Sequence, residues 1–254
     1  MGANLNKKSI LLVVEGQVAE PRILGSATHG ILSLIGSDYN IHPFANSIYE
    51  LYEAYRNGEY DNLVSFLRAE KGLKLSSNVL SRDAFSAIYL VFDYEPHHQK
   101  YSDEVIKDLL NVFDNETDQG KLYINYPMVE AYYDLHAPLP DYAFFERCVS
   151  LEGFSGKDYK RSINLSTCFN KSCITSKELA FIIWHHYVKA KKITSCKREI
   201  DYQLLLDYQL AQKASHNSIY SLSTLPLLAV DYNPDETFRV VEKLLKDSQY
   251  KLNT

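Results

Sequence analysis

Four carboxylates stand where a fold could gather them. Glu15 directly follows an apolar run rich in β-branched residues, Ser9 to Val14. Asp93 directly follows a second run, Ala87 to Phe92, and Glu95 lies two residues further on. Glu130 lies just past Pro127, on the segment that follows a third short run, Lys121 to Ile124. In parallel α/β sheets, functional groups collect at the carboxyl ends of strands. Carboxylates brought together there repel one another, and this costs stability unless a cation neutralises them. Mg²⁺ suits that place, because it takes hard oxygen ligands and keeps waters that exchange with phosphate oxygens. One or two such ions activate a water and stabilise the leaving oxygen in phosphodiester cleavage. A single acidic residue at a strand end is more often solvated or caps the next helix. The order Glu-Gly after one strand and Asp-x-Glu after a later one is more specific.

The net charge of −5 hides an asymmetry. Residues 1 to 145 hold 11 Lys and Arg against 20 Asp and Glu, and residues 146 to 254 hold 16 against 12. Between 157 and 198 there are ten basic residues and two acidic ones, Asp158 and Glu178. Such a basic stretch is either a solvated face or the footprint of an anionic partner. Lys157, Lys160 and Arg161, with Tyr159 among them, form a cluster that suits phosphates and a stacked base. Lys189, Lys191 and Lys192 are expected further out on the same cationic surface. His97 and His98 follow the Asp93 segment closely, either as proton carriers near a metal or as part of a polar loop. His185 and His186 lie on a helix, about 100° apart, so they cannot face one ligand together. A packing role is expected for them. Cys148, Cys168, Cys173 and Cys196 show no C-x-x-C pair and no zinc spacing, so they are expected to be reduced thiols. No G-x-S-x-G motif is present.

The elements that must position these groups alternate in the first half. Strands are expected over 9–14, 40–45, 87–92 and 121–124, with Pro43 marking 40–45 as an edge or irregular strand. Pro21 suits the first turn of a helix whose apolar stripe begins with Ile23, Leu24 and Ala27. Helices are expected over 47–56 and 61–70, with Ser47 and Asp61 as N-caps, over 102–113 with Ser102 as cap, and over 128–135. This alternation argues for an α/β domain with a mostly parallel sheet. Beyond Pro138 and Pro140 helical periodicity takes over. Thr175 and Glu178 fit a capping box, with Leu179, Ile182, Ile183, Tyr187 and Val188 as the apolar stripe that follows. Further helices are expected over 198–213 and 235–247. The expected division is 1–141 as an α/β metal-binding catalytic domain and 142–254 as a mainly helical, basic domain. No apolar run reaches the roughly 18 residues that span a bilayer, and no long apolar leader opens the chain, so a cytoplasmic location is expected.

Three blocks carry a family resemblance. Val13-Val14-Glu15-Gly16-Gln17-Val18-Ala19-Glu20-Pro21 is similar to the V-E-G-x-x-T-E-x segment of Toprim-type proteins. These include RloB-like proteins, OLD (overcoming-lysogenization-defect) nucleases and Toprim subunits of bacterial anti-phage systems. Val91-Phe92-Asp93-Tyr94-Glu95 looks like their V-x-D-x-D segment, and Asn125-Tyr126-Pro127-Met128-Val129-Glu130-Ala131-Tyr132 resembles the N-P-x-x-E-x-W/Y segment of RloB-like proteins. The blocks arrive in the family's order over roughly residues 9 to 136. Ala19 replaces the usual Thr, Glu95 the commoner Asp, and Tyr126 is inserted between Asn125 and Pro127. The resemblance implies a Toprim-like sheet flanked by helices, with Glu15, Asp93 and Glu95 as ligands of Mg²⁺ or Mn²⁺. Glu130 becomes a further ligand or a carboxylate supporting the ligands, and Glu20 either reaches the metal or favours a helix N-terminus. It implies a metal-dependent endonuclease acting on RNA or DNA, an effector of anti-phage defence under an ATPase. The chain has no G-x-x-x-x-G-K-[ST] phosphate loop, so that ATPase would be a separate protein. The alternative is a catalytically inactive Toprim-fold subunit that binds or regulates within a larger assembly. Homo-oligomerisation is left open.

Overall fold

The central strands of the sheet are set by apolar runs that water never touches. In β1 (Ser9–Val14), Ile10 to Val14 are all fully buried. Strands covered on both faces read as continuous apolar runs rather than alternating ones. The computed structural model describes residues 9–25, 30–31, 38–58, 60–73, 82–196 and 199–246. After β1 come α1 (Ala19–Gly25), β2 (Tyr39–Pro43), α2 (Ile48–Asn57), α3 (Leu63–Lys71) and β3 (Phe85–Asp93). They are followed by α4 (Asp103–Val112), β4 (Asp114–Asn115), β5 (Gly120–Asn125) and a 3-10 turn, Val129–Tyr133. The sheet has the order β2-β1-β3-β5-β4, with β1 parallel to both β2 and β3 and β4 antiparallel to β5. It is thus an α/β architecture with a mostly parallel five-stranded sheet. β2 lies at the edge, where Pro43 leaves no ladder hydrogen bond unmade.

The second half holds a second 3-10 turn (Tyr142–Glu146), β6 (Cys148–Ser150), α5 (Gly156–Ser166), α6 (Ser176–Thr194) and α7 (Tyr202–His216). β7 (Ser218–Tyr220), α8 (Leu227–Tyr232) and α9 (Pro234–Leu245) complete it, and β6 and β7 form a separate antiparallel pair. The chain divides into two compact units. The first comprises 1–21, 36–92 and 97–123, and the second 22–35, 93–96 and 124–254. Residue 141, the expected boundary, lies within the second.

Local chemistry explains where the elements begin. Ser47 and Thr175 both make complete capping boxes, with Glu50 and Glu178 as partners. Ser102 caps α4. Asn62, not Asp61, caps α3 by accepting from Ser65 N. The helix expected over 128–135 is only the short 3-10 turn. It ends at Tyr133 because the carboxylate of Asp134 is drawn into a buried network with Ser221 and Arg147. α6 carries no mere stripe: Leu179 through His186 are all buried. It is the central helix of the second unit, packed on α7, α8 and α9. Helices that are apolar all round belong in such places. α7 starts at Tyr202 under an Asp201 cap; the expected start at Arg198, like Ala27 of the first stripe, lies outside the described residues.

Candidate active site

In the first unit, β1 hands directly into Glu15. Val14 pairs with Val91 of β3, and Glu15 N donates to Val91 O at 3.1 Å while its carbonyl accepts from Ala45 N at 2.9 Å. Glu15 is therefore held by backbone bonds on both sides, with its side chain half-buried. Gly16 leaves room for Glu20: a Cβ there would stand 2.5 Å from Glu20 Oε2 and would displace that carboxylate. Glu20 is buried on the first turn of α1 and turns back to accept from Gly16 N at 3.2 Å. This bond fixes the turn after Glu15, a role that neither of the two expected for Glu20 includes. His98 sits with Nε2 3.2 Å from Ser47 Oγ and stacks on Tyr49 at 5.0 Å, which is the polar-loop arrangement; His97 is exposed.

In the second unit, Asp93 ends β3 and is buried. Its Oδ1 accepts from Asn125 Nδ2 at 3.3 Å. Asn125, the fully buried last residue of β5, in turn accepts from Ser223 Oγ at 2.7 Å. Ser223 N donates to His186 Nδ1 at 3.1 Å. A buried chain of polar groups thus runs from α6 to the carboxylate of Asp93 and fixes its orientation. Glu95 has φ of 39°, the left-handed region that side chains other than glycine rarely adopt. Strain of this kind persists where surrounding structure imposes it, and it clusters at functional sites.

Glu130 lies on the 3-10 turn and is 4 % exposed. Lys160 Nζ, from α5, lies 2.7 Å from its Oε1. Its Oε2 is buried and has no hydrogen-bond donor among the described residues. A buried carboxylate oxygen left this way is costly, and a hard cation or a hydroxyl donor would satisfy it. Lys157, Lys160 and Arg161 share one face of α5 at i, i+3 and i+4 spacing. Lys157 and Arg161 are exposed and make no hydrogen bond or ion pair among the described residues. Tyr159 is no stacking platform: its hydroxyl lies 3.0 Å from Ser221 Oγ, inside the fold.

The outer basic group departs from expectation. Lys189 is fully buried, and its ammonium donates to Phe144 O and Arg147 O, both at 2.7 Å. Burial lowers its pKa to about 7. It belongs to the core rather than to a cationic surface. Lys192 pairs with Glu146, and Lys191 lies 5.4 Å from the centre of the Tyr187 ring. Beside Lys189, Arg147 bridges Asp134 and Asp141, and burial raises the pKa of Asp134. His185 and His186 are both buried, as a packing role requires. His185 Nδ1 donates to Phe181 O and Nε2 accepts from Asp141 N, so the ring is neutral, and burial brings its pKa down to about 4. All four cysteines are free thiols.

Among the described residues, no three His, Cys, Asp or Glu side chains are arranged to enclose a metal ion. The donor chemistry nevertheless fits Mg²⁺, which is commonly held by one or two carboxylates, with waters and substrate phosphates completing the shell. The unsatisfied Oε2 of Glu130 is a donor atom of that kind. Sequence reasoning missed Asn125 and Ser223 as positioning residues. Asn125 could have been found as the polar residue that closes an apolar run; nothing near Ser223 in sequence points to Asp93. Among the described residues, no helix is long and apolar enough to cross a membrane. Fold and carboxylates define the class only as far as an α/β protein with acidic groups at the carboxyl ends of parallel strands. No family model, curated protein or solved structure matches the chain.

Proposed function

We propose that the chain is a Toprim-type, Mg²⁺-dependent endonuclease that cleaves phosphodiester bonds in RNA or DNA, the effector of a bacterial anti-phage system controlled by a separate ATPase. The observation that carries this reading is the end of β1 and β3. These adjacent parallel strands, in register at Val14 and Val91, run out into Glu15 and Asp93 at their carboxyl ends. Glu15, Asp93 and Glu95 would hold the ion, with Glu130 as a further ligand or a support. The ion, when bound, would lower the pKa of a water and polarise the scissile phosphate. The protein's own residues do the positioning. Glu20 holds the Gly16 turn, Asn125 and Ser223 orient Asp93, and the α5 cations offer charge to the reacting phosphate.

The test is incubation with labelled single- and double-stranded RNA and DNA, including tRNA, with Mg²⁺, with Mn²⁺ and with chelator. Cleavage of one substrate class only when metal is present is expected. Binding without cleavage under every metal condition would favour the inactive-subunit alternative instead.

A further inference from the structure

We propose that the face formed by α5 and the 3-10 turn Val129–Tyr133 is a binding site for a phosphate monoester, with Arg22, Lys160 and Lys171 as its cations. The geometry comes from two spacings. Residues 130 and 133 stack on one face of a 3-10 turn, and residues 160 and 164 on one face of an α-helix. Lys160 of α5 reaches Glu130, at 2.7 Å. One turn along, Lys171 donates to Asn164 Oδ1 at 2.6 Å and sits 4.6 Å from the centre of the Tyr133 ring. Lys171 thereby comes within electrostatic reach of both Glu130 and Lys160. Arg22, in the same compact unit, is near enough to act electrostatically on both Tyr133 and Lys171. It is exposed and makes no hydrogen bond or ion pair among the described residues.

Against the three cations stands one carboxylate, Glu130, which leaves an excess of two positive charges. Like charges held this close repel until an anion arrives. A phosphodiester brings about one negative charge, whereas a phosphate monoester brings about 1.5 to 2 near neutral pH. The monoester therefore matches the site. The free guanidinium supplies the planar fork that binds two phosphate oxygens together. Glu130 fixes Lys160 in place, and the Tyr133 ring and Asn164 fix Lys171.

The inference rests on the nuclease reading only for the origin of the ligand, a phosphorylated strand end; a free nucleoside monophosphate offers the same chemistry. The experiment is done in chelator, where nothing is cut. Fluorescence anisotropy compares a 5′-phosphorylated oligonucleotide with its 5′-hydroxyl twin, for wild type and for the Arg22→Gln, Lys171→Gln double variant, whose fold is checked by circular dichroism. The phosphorylated strand should bind wild type about tenfold tighter, as loss of charge-assisted hydrogen bonds implies. That ratio should fall to near one in the double variant. Adenosine monophosphate is titrated as competitor. If it binds as tightly as the phosphorylated strand, the ligand is the free nucleotide, and if more weakly, the strand end; either supports the monoester site. Equal affinity of the two strands for wild type, with no binding of adenosine monophosphate, overturns the proposal, as does a preference that survives in the double variant. Absence of metal-dependent cutting would refute the nuclease reading and leave this ratio unaffected.

Discussion

At the scale of single residues, the site depends on small side chains that leave room and on polar ones that aim their neighbours. Gly16→Ala would place a methyl group 2.5 Å from Glu20 Oε2. Because the obstacle is the end of a flexible side chain, Glu20 should swing away and the Gly16 N–H bond should be lost. The expected cost is about 1 kcal/mol of stability, read by urea denaturation. Cleavage should fall more than that suggests, because the turn carrying Glu15 loosens. A variant indistinguishable from wild type in both assays would show that Glu20 does not hold the turn. Asn125→Ala removes the link between Ser223 and Asp93, taking one buried hydrogen bond from each. A loss of about 1–3 kcal/mol is expected. Asn125→Asp should be at least as damaging, because it sets a second carboxylate against Asp93.

At the scale of elements, α5 is the piece that presents charge. Lys157 and Arg161 are the exposed cations of that face. Replacing both with Gln should flatten the salt dependence of nucleic-acid binding by about one unit of log slope for each phosphate the helix no longer neutralises. Replacing Lys189 should leave that slope unchanged and lower the melting temperature, because its ammonium serves two backbone carbonyls. A slope that moves with Lys189 and not with Lys157 and Arg161 would reverse the assignment. The elements also mark what a sequence can disclose. β1, β3 and β5 were legible because buried parallel strands must be apolar throughout, and the Ser47 N-cap and the Thr175 capping box because their partners are local. α5 was not legible: Gly156-Lys157-Asp158-Tyr159-Lys160-Arg161 offers no apolar stripe, and the helix buries one apolar residue, Ile163. Its position depends on Tyr159 meeting Ser221, 62 residues away. Lys189 misled because a lysine in a basic run reads as solvated, and only tertiary packing around Phe144 and Arg147 encloses it. The carboxylates were singled out by their place after the strands, while Asn125 and Ser223, which orient Asp93, lie far along the chain from it.

At the scale of the whole molecule, buried titratable groups set how stability responds to pH. His185 is neutral in the folded protein, with a pKa of about 4 against an ordinary 6.5. As pH falls below 6.5 the unfolded chain takes up a proton that the folded one refuses until about 4. Stability is therefore lost across that window, by up to about 3 kcal/mol for a shift of this size. His186, also held low by burial, adds to the same trend. Asp134, held high by burial, acts in the opposite sense at the acid end. Melting temperatures measured from pH 7.5 to 4.5 should fall steadily below 6.5, and a flat profile would contradict the burial of the two rings.

The central claim is that the carboxylate after β1 serves a metal-dependent cut. It is tested most directly by following cleavage of one labelled substrate by wild type and Glu15→Ala at matched Mn²⁺ or Mg²⁺, with melting temperatures measured alongside without metal. Wild type should cut only with metal, and the variant should lose at least about a hundredfold in rate. Its metal-free melting temperature should be unchanged or slightly higher, since one repelling charge is gone. A folded Glu15→Ala protein that cuts as fast as wild type would show that Glu15 has no part in a metal-dependent cut.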